Sequence, residues 1–181
     1  MNDRINGFQH DDLERLKNEL NANPDNGKFK LRAKNRWIDG TQSLSLVSSF
    51  YGMRREFSTR STPFIQTTDA PTVLLGKDLG PTPMEELLVA LAASVTMTLA
   101  YRAAVAGIEV EEIECEVEGD MNLHSVVDPA ISGAQGFDQI RVTIRVKSAA
   151  SEEQIAALCA SSPVLASLKR PIPVSISVKK D

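Results

Sequence analysis

The sequence predicts an α+β domain in which antiparallel hairpin strands wrap one long buried helix. Three observations carry that prediction. The stretch from Leu87 to Ala100 holds 14 residues without a charge and is apolar on every face. Runs of alternating apolar and polar residues lie on both sides of it. The order of elements is helix, several strands, long helix, two strands, helix, strand, which favours hairpins over a repeated strand–helix–strand winding.

The elements follow in chain order. Residues 9–22 are charged, with Leu13, Leu16 and Leu20 spaced three and four apart, an amphipathic helix with one narrow apolar stripe. Asn23-Pro-Asp-Asn-Gly27 stops it with turn chemistry. Phe29 to Trp37 alternates as a strand. Asp39-Gly40 reads as a tight turn, and Ser43 to Phe50 alternates again, so the two segments form a hairpin. Pro63 to Thr68 reads as a further strand.

The long helix then begins among Pro81 and Pro83, where a missing N–H costs nothing, with Glu85 and Glu86 at the positive end of its dipole. A helix apolar all round is either a core helix or a membrane span. A span needs about 20 apolar residues, so the shorter uncharged run predicts a core helix, ending near Ala106-Gly107 with Gly107 as left-handed cap. Glu109 to Asp120 and the clean alternation Ile140, Val142, Ile144, Val146 predict two strands, with a loop over residues 121–136 between them. Ser151-Glu-Glu-Gln154 is a capping box that starts a helix to about Ala160. Ser162-Pro163 starts a short second one. Pro173 to Val178 closes as a strand with Val174, Ile176 and Val178 on one face. One sheet of five or six strands leaves a side of the long helix bare, so a second subunit is expected to cover it.

Composition bounds the function. The 181 residues with 42% hydrophobic content fit one domain, residues 26–181, behind an N-terminal helical extension, residues 1–25. A formal net charge of −4 argues against a nucleic-acid footprint. Two cysteines, Cys115 and Cys159, are too few for a disulfide scaffold or a four-ligand zinc site, so no metal or cofactor is expected. No secretory signal is visible at Met1-Asn-Asp-Arg, and a cytoplasmic, non-membrane protein is expected.

From residue 64 to 178 the chain resembles the OsmC/Ohr family of small peroxidases. The resemblance rests on Asp69-Ala-Pro71, Leu74-Leu-Gly-Lys-Asp-Leu-Gly80, Pro83-Met-Glu-Glu-Leu-Leu88 and Ala90-Leu-Ala-Ala93. It continues through Ala106-Gly-Ile108, Glu118-Gly-Asp120, Gly136-Phe137, Ser162-Pro-Val164 and Pro171-Ile-Pro-Val174. Trp37, Gly40 and Phe50-Tyr-Gly52 resemble its longer members. The resemblance implies an intertwined homodimer with two central helices. It implies reduction of organic hydroperoxides by a peroxidatic cysteine in the central helix and a resolving cysteine in the last, with a glutamate and an arginine holding the thiolate.

This chain departs at those positions. Ser94 stands where the family has its peroxidatic cysteine, Ser162 at the resolving position, and Met84 at the glutamate, with Glu85 adjacent. Arg60 is the nearest candidate for the arginine. A serine cannot pass through sulfenic acid to a disulfide. Three readings follow. The leading one is a family member without cysteine peroxidase chemistry, keeping a dimer pocket for a small apolar or mildly anionic ligand near Ser94, Ser162 and Glu85. The second is a thiol-dependent hydroperoxide reductase using Cys159, one helical turn before Ser162. The third is a scaffold whose N-terminal helix recruits a protein. The bland alternatives are a buried structural Cys115 and Cys159, a Ser94 that bonds back to a carbonyl of its own helix, and Arg54, Arg55 and Arg60 as a solvated run. Neither His10 nor His124 stands in nucleophile spacing with Ser94.

Overall fold

The computed structural model describes residues 4–58, 60, 62–128, 130–133 and 136–180. The chain divides into two compact units, Met1–Leu87 and Leu88–Asp181. In the first, β1 (Arg4–Ile5) and β2 (Phe8–Gln9) pair through Asn6-Gly7, both at positive φ, 49° and 90°. Asn-Gly is the dipeptide that a two-residue hairpin turn of this hand favours. Helix α1 (His10–Ala22) follows, with Leu13 buried and Leu16 and Leu20 half-buried, as its stripe predicts. The Asn23 side chain accepts from Asp25 N–H at 2.8 Å and turns the chain into a 3-10 turn at Pro24–Gly27.

The expected hairpin is present as β3 (Lys34–Asp39) and β4 (Gln42–Val47), with the turn one residue later than Asp39-Gly40, at Gly40-Thr41. The expected strand near residues 63–68 is β7 (Phe64–Thr68), and the order is β3-β4-β7, antiparallel throughout. Between β4 and β7 lies a small hairpin, β5 (Phe50–Gly52) and β6 (Arg55–Phe57), turning through Met53 and Arg54 at positive φ. Upstream of β3, Lys30 exchanges both backbone hydrogen bonds with Tyr51, at 2.8 and 3.0 Å. The extended run from Lys28 to Trp37 is therefore paired along one edge by β4 and β5.

Helix α2 (Pro83–Val105) is continuous across the boundary between the units. It ends as expected at Gly107, φ 70°, where Gly107 N–H bonds Ala104 O at 3.1 Å and Ile108 N–H bonds Ala103 O at 2.9 Å. That is the paired-bond helix stop that a left-handed glycine permits. By length and composition α2 is apolar enough to cross a membrane, with mean hydropathy 1.6 over its best window.

The second unit is built on a long hairpin, β8 (Val110–Met121) and β9 (Phe137–Ser148). Its apolar face, with Ile113, Cys115, Val117, Ile140, Val142, Ile144 and Val146, packs on Leu91, Val95 and Leu99 of α2. Helices α4 (Glu152–Cys159) and α5 (Pro163–Leu168) complete the cluster through Ile155, Leu158, Cys159, Val164 and Leu165. Both α4 and α5 carry the caps their sequences predict. Ser151 and Gln154 satisfy each other's backbone N–H, and Ser162 accepts from Leu165 N–H with Pro163 at the first helical position. A short turn, α3 (His124–Val127), interrupts the expected β8–β9 loop.

Two expectations need correction. The strands do not form one sheet of five or six; the described residues hold four small sheets of two or three strands. The expected last strand, Pro173 to Val178, has no ladder partner and no strand conformation, and Val174, Ile176 and Val178 are 82 to 88% exposed. Alternation makes a segment fit for a sheet face, but a strand exists only against a neighbour that takes up its N–H and C=O groups. The long helix is likewise covered on one side only. Leu91, Ser94, Val95, Leu99, Ala103 and Ala104 are buried, while Val89, Met97 and Val105 on the other flank are 52 to 61% exposed.

Candidate functional site

The chemistry-bearing positions of the second unit converge where α2 passes the α4–α5 corner. Ser94 is buried because it shares the α2 face of Leu91 and Val95, held against the hairpin. Ser162 is buried because it is the cap between α4 and α5, with its own N–H on Cys159 O at 3.0 Å. The two hydroxyls meet: Ser94 Oγ and Ser162 Oγ are 2.8 Å apart. Val164 N–H donates to Ser94 Oγ at 3.4 Å, and Leu165 N–H to Ser162 Oγ at 3.4 Å.

The pair is a neutral, water-excluded hydrogen bond between two helices. Its printed partners are hydroxyls and backbone N–H groups, with no imidazole or carboxylate to activate a nucleophile. The back-bond to a helix carbonyl expected at Ser94 occurs instead one turn-face away, where Thr96 Oγ1 donates to Ala92 O at 3.0 Å. Among the described residues no buried side-chain polar atom lacks a partner.

Cys159 lies in the same core, 5% exposed. Burial pushes its thiol above the ordinary cysteine range, and the neighbouring Cys115 raises it further. Burial also raises Cys115, against a side-chain hydrogen bond with Thr96. A reactive thiol needs the opposite environment, partly exposed and electropositive. Both cysteines are reduced and sit as small apolar core residues.

In the first unit, Met84 is half-buried and Glu85 exposed, in the opening turn of α2. Glu85 forms a capping box with Thr82. Its carboxylate accepts from Thr82 N–H at 2.7 Å and from the Thr82 hydroxyl at 2.8 Å, and Glu85 N–H returns a bond to Thr82 Oγ1 at 3.2 Å. Those bonds hold the Glu85 carboxyl below the usual range. The signal was legible in Thr82-Pro-Met-Glu85, the spacing of such a box.

Arg60 lies between two rings, its guanidinium carbon 5.3 Å from the Phe50 centroid and 5.0 Å from that of Phe64. Phe50 stacks on Phe57 at 4.8 Å, and Arg55 covers Phe57 at 4.5 Å. Arg60 and Arg55 are thus layered on aromatic faces rather than solvated as a plain run. Arg54 occupies the turn between them.

One polar centre escaped the sequence reading. Asp69, 2% exposed, accepts from Thr41 Oγ1 at 2.5 Å and from the backbone N–H groups of Ala70, Lys77 and Leu79 at 2.8, 3.0 and 3.3 Å. These bonds, Thr41's foremost, hold its carboxyl below the usual aspartate range. They fold the Asp69–Gly80 loop so tightly that a Cβ on Gly76 would lie 1.8 Å from Ala70 O. Asp69 belongs to the loop's architecture. Among the described residues no cluster of His, Cys, Asp and Glu could hold a metal.

The family model described as OsmC-like protein matches residues 76–177, more than half of the chain. The chain belongs to the OsmC-like family. Solved structures agree in fold. An OsmC-like protein from Mycoplasma pneumoniae superposes with a TM-score of 0.58 at 19% identity, over 77% of this chain and 87% of that one. An organic hydroperoxide resistance protein OsmC from Legionella pneumophila gives 0.52 at 14%, over 77% and 89%. An OsmC-like protein of unknown function from Vibrio cholerae gives 0.52 at 12%, over 76% and 92%. No curated protein matches significantly. OsmC-like proteins are soluble, which agrees with α2 as a core helix packed by β8, β9, α4 and α5.

Proposed function

We propose that this OsmC-like chain has lost cysteine peroxidase chemistry and serves as a cytoplasmic homodimer that holds a small apolar ligand at the subunit interface. The observation that carries the reading is the Ser94–Ser162 hydrogen bond. The residues at the two positions where the resemblance puts the redox cysteines touch at 2.8 Å, buried and neutral. The contact between the two positions is kept while both sulfurs are gone. Hydroxyls so placed hold α2 to the α4–α5 corner and have no route to a sulfenic acid.

The dimer reading is supported by the bare flank of α2 and by the unpaired, alternating Val174, Ile176 and Val178. Contiguous apolar surface of this extent marks an interaction site. The same flank is the apolar wall against which a ligand would lie. The alternative of a hydroperoxide reductase working through Cys159 is opposed by that thiol's burial and raised pKa.

The test is consumption of cumene and tert-butyl hydroperoxide by the purified protein with dithiothreitol, beside a thermal-shift panel of apolar small molecules. The expected result is turnover no faster than buffer, with a stabilising apolar ligand in the panel. Turnover that vanishes in Cys159→Ser would overturn the reading in favour of the reductase.

A further inference from the structure

The strongest charge pattern in the first unit is a ridge. Lys28, Lys30, Arg32, Lys34 and Arg36 fall on every second residue of one extended run, with no acid between them, in a chain of net charge −4. Alternate residues of a strand share a face at about 6.8 Å intervals. The ridge is therefore an exposed line of five cations. Lys28 pairs with Asp25 and Arg32 with Glu56, whereas Lys34 and Arg36 have no ion pair among the described residues. Phe29, Leu31 and Trp37 point to the opposite face, 51, 76 and 69% exposed. One edge of this run is occupied by β4 and β5; its other edge has no partner among the described residues.

The second unit carries the complementary pattern. On β8, Glu112, Glu114, Glu116, Glu118 and Asp120 also fall on every second residue, five anions at the same repeat. Ile113, Cys115 and Val117 fill the opposite face. Arg141 serves Glu118 and Asp120, and Arg145 serves Glu114 and Glu116, so two arginines are shared among four carboxylates and the outer face keeps a surplus of negative charge. Among the described residues β8 pairs only with β9, which leaves its second edge open as well.

Resting on the homodimer reading above, we infer that the Lys28–Arg36 edge of one copy zips onto the β8 edge of a second copy as a charge-matched strand seam. A strand partner satisfies the open backbone edge that a lone sheet exposes. The common two-residue repeat sets every cation against an anion, with Arg32 opposite Glu116 at the centre whichever way the strands run. The same parity places Phe29 and Leu31 beside Ile113, Cys115 and Val117, extending the apolar face of the hairpin. A membrane or a phosphate strand would match the cations alone and leave the open backbone edge unpaired. The seam also selects its own kind, because an edge lacking the alternating acids would bring no counter-charge.

The experiment mixes 14N- and 15N-labelled full-length protein, applies a zero-length carbodiimide cross-linker, and maps joined peptides by mass spectrometry. Mixed-label links from Lys30 or Lys34 to Glu112, Glu114, Glu116 or Glu118 are expected. In parallel, sedimentation of Lys34→Glu/Arg36→Glu, with folding checked by circular dichroism, is expected to show a dimer dissociation constant raised at least tenfold. Adding Glu112→Lys/Glu114→Lys restores it if the strands are antiparallel, and Glu118→Lys/Asp120→Lys if they are parallel. A dimer indifferent to charge reversal, links confined to single-label chains, or rescue by neither pair would overturn the seam and leave the homodimer standing. A monomeric wild-type protein would overturn both, as would a monomer whose ridge binds an oligothymidylate strand.

Discussion

The molecule buries polar groups in two places, one per unit, and the two are built on opposite principles. Asp69 is a charge in a cage of donors, a hydroxyl and three backbone N–H groups drawn from one loop and one turn. Ser94 and Ser162 form a neutral pair, each hydroxyl serving the other and one backbone N–H. The caged carboxylate looks more like chemistry and is architecture. The quiet serine pair occupies the positions where family chemistry would stand. Burial and polarity alone do not mark an active site; what decides is whether a group is left poised, and neither is.

That contrast can be broken by substitution. Asp69→Ala leaves the Thr41 hydroxyl and three N–H groups without their acceptor, and we expect the largest loss of stability of any change considered, seen as a lowered urea midpoint. Because its folded carboxyl sits below the ordinary range, its contribution is present above the unfolded aspartate value and is lost as pH falls through the lower folded value. Acid unfolding followed in wild type and Asp69→Asn should differ in that window; coincident profiles would remove Asp69 from its place.

The serine pair predicts smaller, more specific effects. Ser162→Ala removes both Ser94's partner and the α5 cap, and should cost about 1–3 kcal/mol in denaturant unfolding. Ser94→Ala removes the shared bond alone and should cost about 1 kcal/mol. Equal costs would mean that the cap contributes nothing. Ser94→Cys/Ser162→Cys should oxidise to an intramolecular disulfide, since the two Oγ atoms already lie 2.8 Å apart, visible as a two-dalton mass loss under denaturing conditions. A persistently free dithiol would show that the positions do not approach as closely as the serines do. The smallest effect belongs to Cys159, whose burial predicts negligible labelling by a thiol reagent at pH 7 until the protein unfolds.

Much of the fold was legible in local chemistry. The α1 leucine stripe, the Ser151 capping box, the Ser162-Pro163 start and the Gly107 stop all appear where the spacing puts them. So do β8 and β9, whose strict alternation matches a pleat with one wet face. Two signals were equally local and escaped notice: Asn6-Gly7 for the first hairpin, and Thr82-Pro-Met-Glu85 for the α2 cap. The last strand failed for a different reason. Its alternation is real, but pairing depends on a neighbour that a single chain does not supply.

The candidate site divides the same way. The sequence by itself determined that Ser94 and Ser162 replace sulfur, because side-chain identity is covalent and independent of the fold. That the two hydroxyls bond each other across 68 residues of chain, and that Glu85 is spent on its own helix cap, only the tertiary structure decided. Hydrogen bonds reach about 3 Å, and no spacing along a chain says which distant segments will close to that range.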